Sequence, residues 1–153
     1  MEGLNVTASA IISFAGELED GSAAFYEGLA ERFVEHTEAF LALAEESRKL
    51  KLLLTRTYQE TISDALEACF AFDGLDLGDY AITPALAEST SHAEGLAIAV
   101  QLEERAVKFY LDVAERSESL LATIPRAFRR VAKRRTKRKR ELESHLLQMT
   151  PSP

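Results

Sequence analysis

Residues 18–32 read LEDGSAAFYEGLAER, and residues 102–116 read LEERAVKFYLDVAER. The Leu-Glu, Phe-Tyr and Ala-Glu-Arg elements coincide at a fixed offset of 84. A second match follows at an offset of 88, Phe40-x-x-Leu43-Ala44 against Phe128-x-x-Val131-Ala132. A repeat of this length marks a supersecondary unit used twice. The offset grows by four residues between the matches, which implies a longer turn in the second copy.

Each copy holds two helical patterns. Ile12, Ala15, Glu19, Ser22, Tyr26, Leu29 and Phe33 recur at spacings of three and four, and so do Phe40, Leu43, Ser47, Leu50, Leu54, Tyr58 and Ile62. In the second copy the stripes are Leu96, Val100, Glu103, Val107, Tyr110 and Ala114, then Phe128, Val131, Arg135, Arg138, Leu142 and His145. Such spacing keeps side chains on one helix face. Ser91-x-x-Glu94 is a capping-box pattern ahead of the third helix. Thr123 and Pro125 suit the start of the fourth. The stretch 72–90, with Gly74, Gly78 and Pro84, has no helical period. The expected fold is therefore an all-α, single-domain (1–153) four-helix bundle. Hairpin one covers about 7–70, a crossover link about 71–90, and hairpin two about 91–148.

Composition limits the alternatives. The 153 residues are 46% apolar and 28% charged, which is ordinary for a globular domain. No apolar run approaches the ~20 residues needed to span a bilayer, and no signal-peptide pattern opens the chain. A cytoplasmic protein without membrane contact is expected. Cys69 is the lone cysteine, so an intrachain disulfide is excluded and the thiol reads as core filler. Nothing matches a Ser-His-Asp set, a phosphate loop or a nucleotide fingerprint.

The stripes are not uniformly apolar. Glu19 and Glu103 occupy equivalent core-facing positions, and a buried carboxylate is unfavourable unless it is paired or metal-bound. With these residues the sequence resembles the rubrerythrin-like family of the ferritin-like superfamily, over about residues 8–148. That family places a Glu seven residues before a Tyr on the first helix of each hairpin, as in Glu19–Tyr26 and Glu103–Tyr110. The resemblance implies a ferritin-like arrangement of two tandem hairpins and, commonly, a homodimer. The family's second helix of each hairpin carries Glu-x-x-His, whose i, i+3 spacing directs both ligands at one iron. Aligned on Phe40 and Phe128, those positions hold Ser47 and Leu50 in the first copy and Arg135 and Arg138 in the second. The resemblance thus implies a degenerate di-iron site that keeps two carboxylates, too few for two irons. No metal ligand, cofactor or catalytic residue is expected, and the family's peroxide chemistry is not carried over.

Arg135 and Arg138 land on the stripe facing Glu19 and Glu103, and guanidinium groups fit carboxylates through paired donors. Buried ion pairs are therefore expected where the family holds metal. Tyr26 and Tyr110 read as core aromatics whose hydroxyls meet a carboxylate. His36, His92 and His145 read as scattered.

Charge is divided unevenly. Residues 126–153 hold ten basic and two acidic residues; residues 1–125 hold eight basic and 23 acidic, and the chain carries −7. The nearest partner for the cations of 126–140 is the acidic remainder of the bundle or of a second subunit. Three functional readings follow. The chain is a metal-free structural or interaction module; or a metal-binding oxidoreductase with a rearranged iron or manganese site recruiting Glu46, Glu143 or His145; or a binder of nucleic acid or another polyanion through 126–140. The last is weakened by a pI near 5.1 and by the absence of interleaved aromatics.

Overall fold

The computed structural model describes residues 5–61, 71–73, 75–81, 86–117 and 123–149. Four long helices dominate: α1 (Ala8–Arg32), α2 (Thr37–Thr61), α3 (His92–Ser117) and α4 (Thr123–Met149). Consecutive helices make the most extensive contacts, α1 with α2 and α3 with α4, while α2 meets α4 and α1 meets α3 less closely. α1 and α4 therefore lie diagonally across an all-helical bundle. Among the described residues no helix is long and apolar enough to cross a membrane.

Local signals set the helix ends. Thr7 caps α1, its side chain accepting from the Ala10 amide at 3.1 Å. Ser91 and Glu94 form the expected reciprocal box. The Glu94 amide donates to Ser91 Oγ at 3.1 Å and the Ser91 amide to Glu94 Oε1 at 2.8 Å. A one-turn 3₁₀ helix, Val34–His36, joins α1 to α2. The four extra residues of the second copy are partly absorbed as helix, because α3 extends to Ser117 and α4 begins at Thr123. Near the start of α3, Gly95 gives close approach to α1. A Cβ there would meet Leu29 Cδ2 at 2.9 Å.

The link, without helical period in the sequence, carries short ordered elements. β1 (Asn5–Thr7) pairs antiparallel with β2 (Ala71–Asp73), with Val6 opposite Phe72, and a 3₁₀ helix spans Leu77–Tyr80. Three-residue strands are too short to show an alternating pattern. The link is tied down by Tyr80, whose hydroxyl donates to Asp112 Oδ2 at 2.7 Å, and by Arg105, which donates to the Asp79 carbonyl at 2.9 Å.

The core falls into two apolar clusters. One gathers Ile11, Ala15, Leu50, Leu54, Phe109, Val113, Phe128 and Val131. The other gathers Ala23, Leu29, Phe40, Ala44, Leu96, Leu102 and Leu142. On every helix the break between the clusters coincides with a polar core position: Glu19 and Ser22 on α1, Ser47 on α2, Glu103 on α3, Arg135 and Arg138 on α4. A charged layer thus crosses the middle of the bundle with apolar packing above and below it. Three stripe positions move to the edge: Ile12, Val100 and Val107 are half-buried, and Ile11, Ala99 and Ala106 take the interior. Ile62 and Cys69 lie outside the described residues.

Candidate functional site: a buried ion-pair layer

The four site residues read from the sequence, Glu19, Glu103, Arg135 and Arg138, come together in this layer. Arg135 is fully buried and donates in four directions. Its Nη2 reaches Glu19 Oε1 at 2.6 Å and Ser22 Oγ at 2.9 Å, its Nη1 reaches Glu103 Oε1 at 2.8 Å, and its Nε reaches Glu19 Oε2 at 3.3 Å. One guanidinium therefore bridges the equivalent carboxylates of the two repeats. Arg138 donates from Nη1 to Glu103 Oε2 at 3.2 Å and to Ser47 Oγ at 3.1 Å, and from Nη2 to Glu46 Oε1 at 2.5 Å.

The tyrosines complete the layer by crossing between repeats. The Tyr26 hydroxyl donates to Glu103 Oε2 and the Tyr110 hydroxyl to Glu19 Oε2, both at 2.5 Å. Seven residues along a helix span about 10.5 Å, so each tyrosine sits two turns from the glutamate of its own helix and meets that of the other repeat. The Arg138 guanidinium carbon also lies 5.6 Å from the centroid of the Tyr26 ring.

Charge state follows from these contacts. Burial alone would raise the Glu103 carboxyl, but Arg135, Arg138 and the Tyr26 hydrogen bond outweigh it and hold it below the usual carboxylate range. Burial and then the facing carboxylates, Glu103 for Tyr26 and Glu19 for Tyr110, push the two phenols well above their ordinary value. Both stay neutral donors. Burial works against the Arg135 cation, yet Glu103 and Glu19 hold it firmly protonated.

This donor set does not fit a di-iron centre. All four oxygens of Glu19 and Glu103 already accept from a guanidinium, a phenol or both. The second helices offer Ser47 and Leu50 from α2 and two cations from α4. Among the described residues no group of three or more His, Cys, Asp or Glu side chains is placed to hold a metal ion. Glu46 binds Arg138 and, at 3.5 Å, Arg134. Glu143 lies 3.9 Å from Lys139.

Two features depart from the sequence reading. Glu46, which the sequence offers only as a recruited ligand, is the third carboxylate of the network, half-buried and reached by the long Arg138 side chain. The histidines are not scattered. His36 and His92 stack with ring centroids 4.3 Å apart. With His145, Glu141 and Arg138 they line a cavity of about 180 Å³ at one end of the bundle. Burial, then the charges of His36 and His145, lower the His92 imidazole below its ordinary value. His145 is exposed and does not continue the core stripe of α4. Arg138 Nε is the one buried side-chain polar atom among the described residues without a hydrogen-bond partner.

The cations of α4 divide by face. Arg135 and Arg138 point inward, and Arg134 and Lys139 pair at the flanks with Glu46, and with Glu104 and Glu143. Arg126, Arg130, Lys133, Lys137 and Arg140 are not inward: Lys137 and the other four are exposed or lie at the rim of the helix facing solvent. The bundle's acidic residues thus neutralise only part of the basic helix. Comparison of the chain with models of known families, with curated proteins and with solved structures finds no match in any of the three.

Proposed function

We propose that this chain is a rubrerythrin-like, ferritin-like bundle in which buried ion pairs stand in place of a di-iron centre, and that it serves as a structural or interaction module rather than an oxidoreductase. The observation that carries the reading is the Arg135 guanidinium, which bridges Glu19 and Glu103 at 2.6 and 2.8 Å. In the family those carboxylates bind metal; here a fixed cation takes that role. A charge that cannot change oxidation state and leaves no open ligand position supplies no redox chemistry. The layer instead supports a rigid scaffold, with pairing into a homodimer following from the same resemblance. The test is elemental analysis after anaerobic loading with ferrous iron and desalting. This reading expects close to zero iron or manganese per chain. A stoichiometry near one or two would overturn it and make oxygen or peroxide chemistry the leading activity.

A further inference from the structure

Every exposed position of α4 between residues 126 and 140 is Arg or Lys: Arg126, Arg129, Arg130, Lys133, Arg134, Lys137 and Arg140. Five of them, Arg126, Arg130, Lys133, Lys137 and Arg140, follow one another at spacings of four, three, four and three and have no ion-pair or hydrogen-bond partner among the described residues. That period holds them on one ridge about 21 Å long at 1.5 Å per residue. Beside it a shallow depression of about 700 Å³ is lined by Arg130, Lys133, Arg134, Thr136, Lys137 and Arg140, with no carboxylate among them. Like charges three and four residues apart repel, so the ridge needs an anionic partner that the bundle itself does not provide.

We propose that this ridge is a binding site for the phosphate backbone of double-stranded DNA. The composition of the face selects the partner. A protein interface is built around an apolar centre and is depleted of lysine, and this face has no exposed apolar residue over its length. Single strands are gripped by aromatic stacking, and no aromatic side chain is exposed here. A straight row of point charges with nothing between them matches a regular row of phosphates. The wide major groove of B-form DNA admits an α-helix beside that row, whereas the deep, narrow major groove of duplex RNA does not.

The net charge of −7 does not prevent this, because the charges are separated. α1, with exposed Glu17, Asp20 and Glu31, lies diagonally opposite α4. Glu46, Glu104 and Glu143 are engaged by Arg134, Arg138 and Lys139, and Glu141 on α4 itself is exposed at the end of the ridge beside Arg140. Glu45 lines a separate, neighbouring pocket with Arg130 and Arg134 without ion-pairing to either.

Five phosphate contacts predict a slope of about −4.5 for log K against log salt, and about 500-fold weaker binding at 200 mM than at 50 mM salt. The test is anisotropy of a labelled 20-base-pair DNA duplex with the whole chain, titrated from 20 to 200 mM KCl. The Lys133→Ala/Lys137→Ala variant should flatten the slope by about 1.8 with an unchanged melting temperature. Arg56→Ala, an exposed cation on α2, should leave the slope alone. Absence of binding at 20 mM KCl, or an unchanged slope in the double variant, overturns the proposal. Tighter binding of a single strand or of duplex RNA overturns the choice of partner. Salt-reversible self-association without DNA binding would assign the ridge to a second copy of the chain and overturn it too. Metal loading reads the core and is independent of this face, so either proposal can fail alone.

Discussion

Replacing Arg135 with alanine removes, among the described residues, the only cation that touches Glu19 and one of two that touch Glu103. Arg138 remains, 3.2 Å from Glu103 Oε2, so Glu103 keeps one cation and the Tyr26 hydroxyl. Glu19 keeps only the Tyr110 hydroxyl. Stranding a buried charge in this way costs about 3–5 kcal/mol, a large share of the roughly 5–15 kcal/mol that holds a domain together. Urea denaturation at pH 7.5 measures the loss directly. Arg134→Ala is the control, since a partly exposed contact to Glu46 is worth no more than about 1 kcal/mol. The pH dependence adds a second signature. In the parent protein Glu103 sits below its unfolded value, so its contribution is present above the carboxylate range and is lost as pH falls through the folded value. In Arg135→Ala one of the cations that hold the Glu103 carboxyl down is gone while burial still pushes it up. Less of the Glu103 contribution is then left to lose, so the variant's stability should fall less steeply than the parent's as pH drops through the carboxylate range. Adding Glu19→Gln and Glu103→Gln to Arg135→Met should regain most of the loss, because no buried charge is left uncompensated. A loss well under 1 kcal/mol for Arg135→Ala, or a pH slope as steep as the parent's, would refute the buried-pair account.

Other outcomes follow from the same contacts. Tyr26→Phe and Tyr110→Phe each delete a hydrogen bond to a buried carboxylate and should each lower stability by about 1.5–3 kcal/mol in urea titrations, with similar values because the two bonds are related by the repeat. His92 is lowered by burial and by His36 and His145; its contribution is full above about pH 6.5 and is lost as pH falls through the folded value. His92→Gln should flatten stability between pH 7.5 and 5 in the same titrations; an unchanged slope would show that the stacked imidazoles do not oppose protonation. If ion pairs replace ligands at the positions the resemblance names, then Ser47→Glu, Leu50→His, Arg135→Glu and Arg138→His together should restore metal binding. Visible absorption on cobalt titration would report it, and a spectrum identical to that of the parent would count against the alignment.

Most of the framework was legible because helices write a 3.6-residue period into the sequence. The repeat, the four helices, the capping box at Ser91 and the convergence of Glu19, Glu103, Arg135 and Arg138 all follow from it. What was not legible depends on reach or on ends. Glu46 lies one position off the stripe and joins the network only because an arginine side chain is long. The partners of Tyr26 and Tyr110 cross between repeats, which spacing along one helix cannot show. The β1–β2 ribbon is too short to carry a pattern. The histidine cluster had a signal that periodicity does not carry: His36 opens α2, His92 opens α3 and His145 is near the end of α4. Because the link carries the chain back along the bundle before α3, the start of α2, the start of α3 and the end of α4 fall at the same end.

The two charged faces of α4 have separable roles. A one-residue slip turns a helix by about 100°, which would carry Arg135 away from Glu19 and Glu103 and bury part of the outer ridge. An apolar stripe tolerates small rotations, since one methyl packs much like the next; a guanidinium held at 2.6–2.9 Å by three partners does not. Buried polar groups are best attested as devices that fix register, and here the register being fixed is that of the helix with the unpaired cations. The inner arginines then preorganise the outer ones, so that little ordering remains to be done when a phosphate row is met. The apolar-leaning triple variant Glu19→Gln/Glu103→Gln/Arg135→Met separates the two effects. It should keep most of the parent's stability yet bind DNA with a shallower salt slope, because α4 is no longer held at one rotation. An unchanged slope in a stably folded triple variant would mean that apolar packing alone orients the helix, and that the ion-pair layer contributes nothing to the outer face.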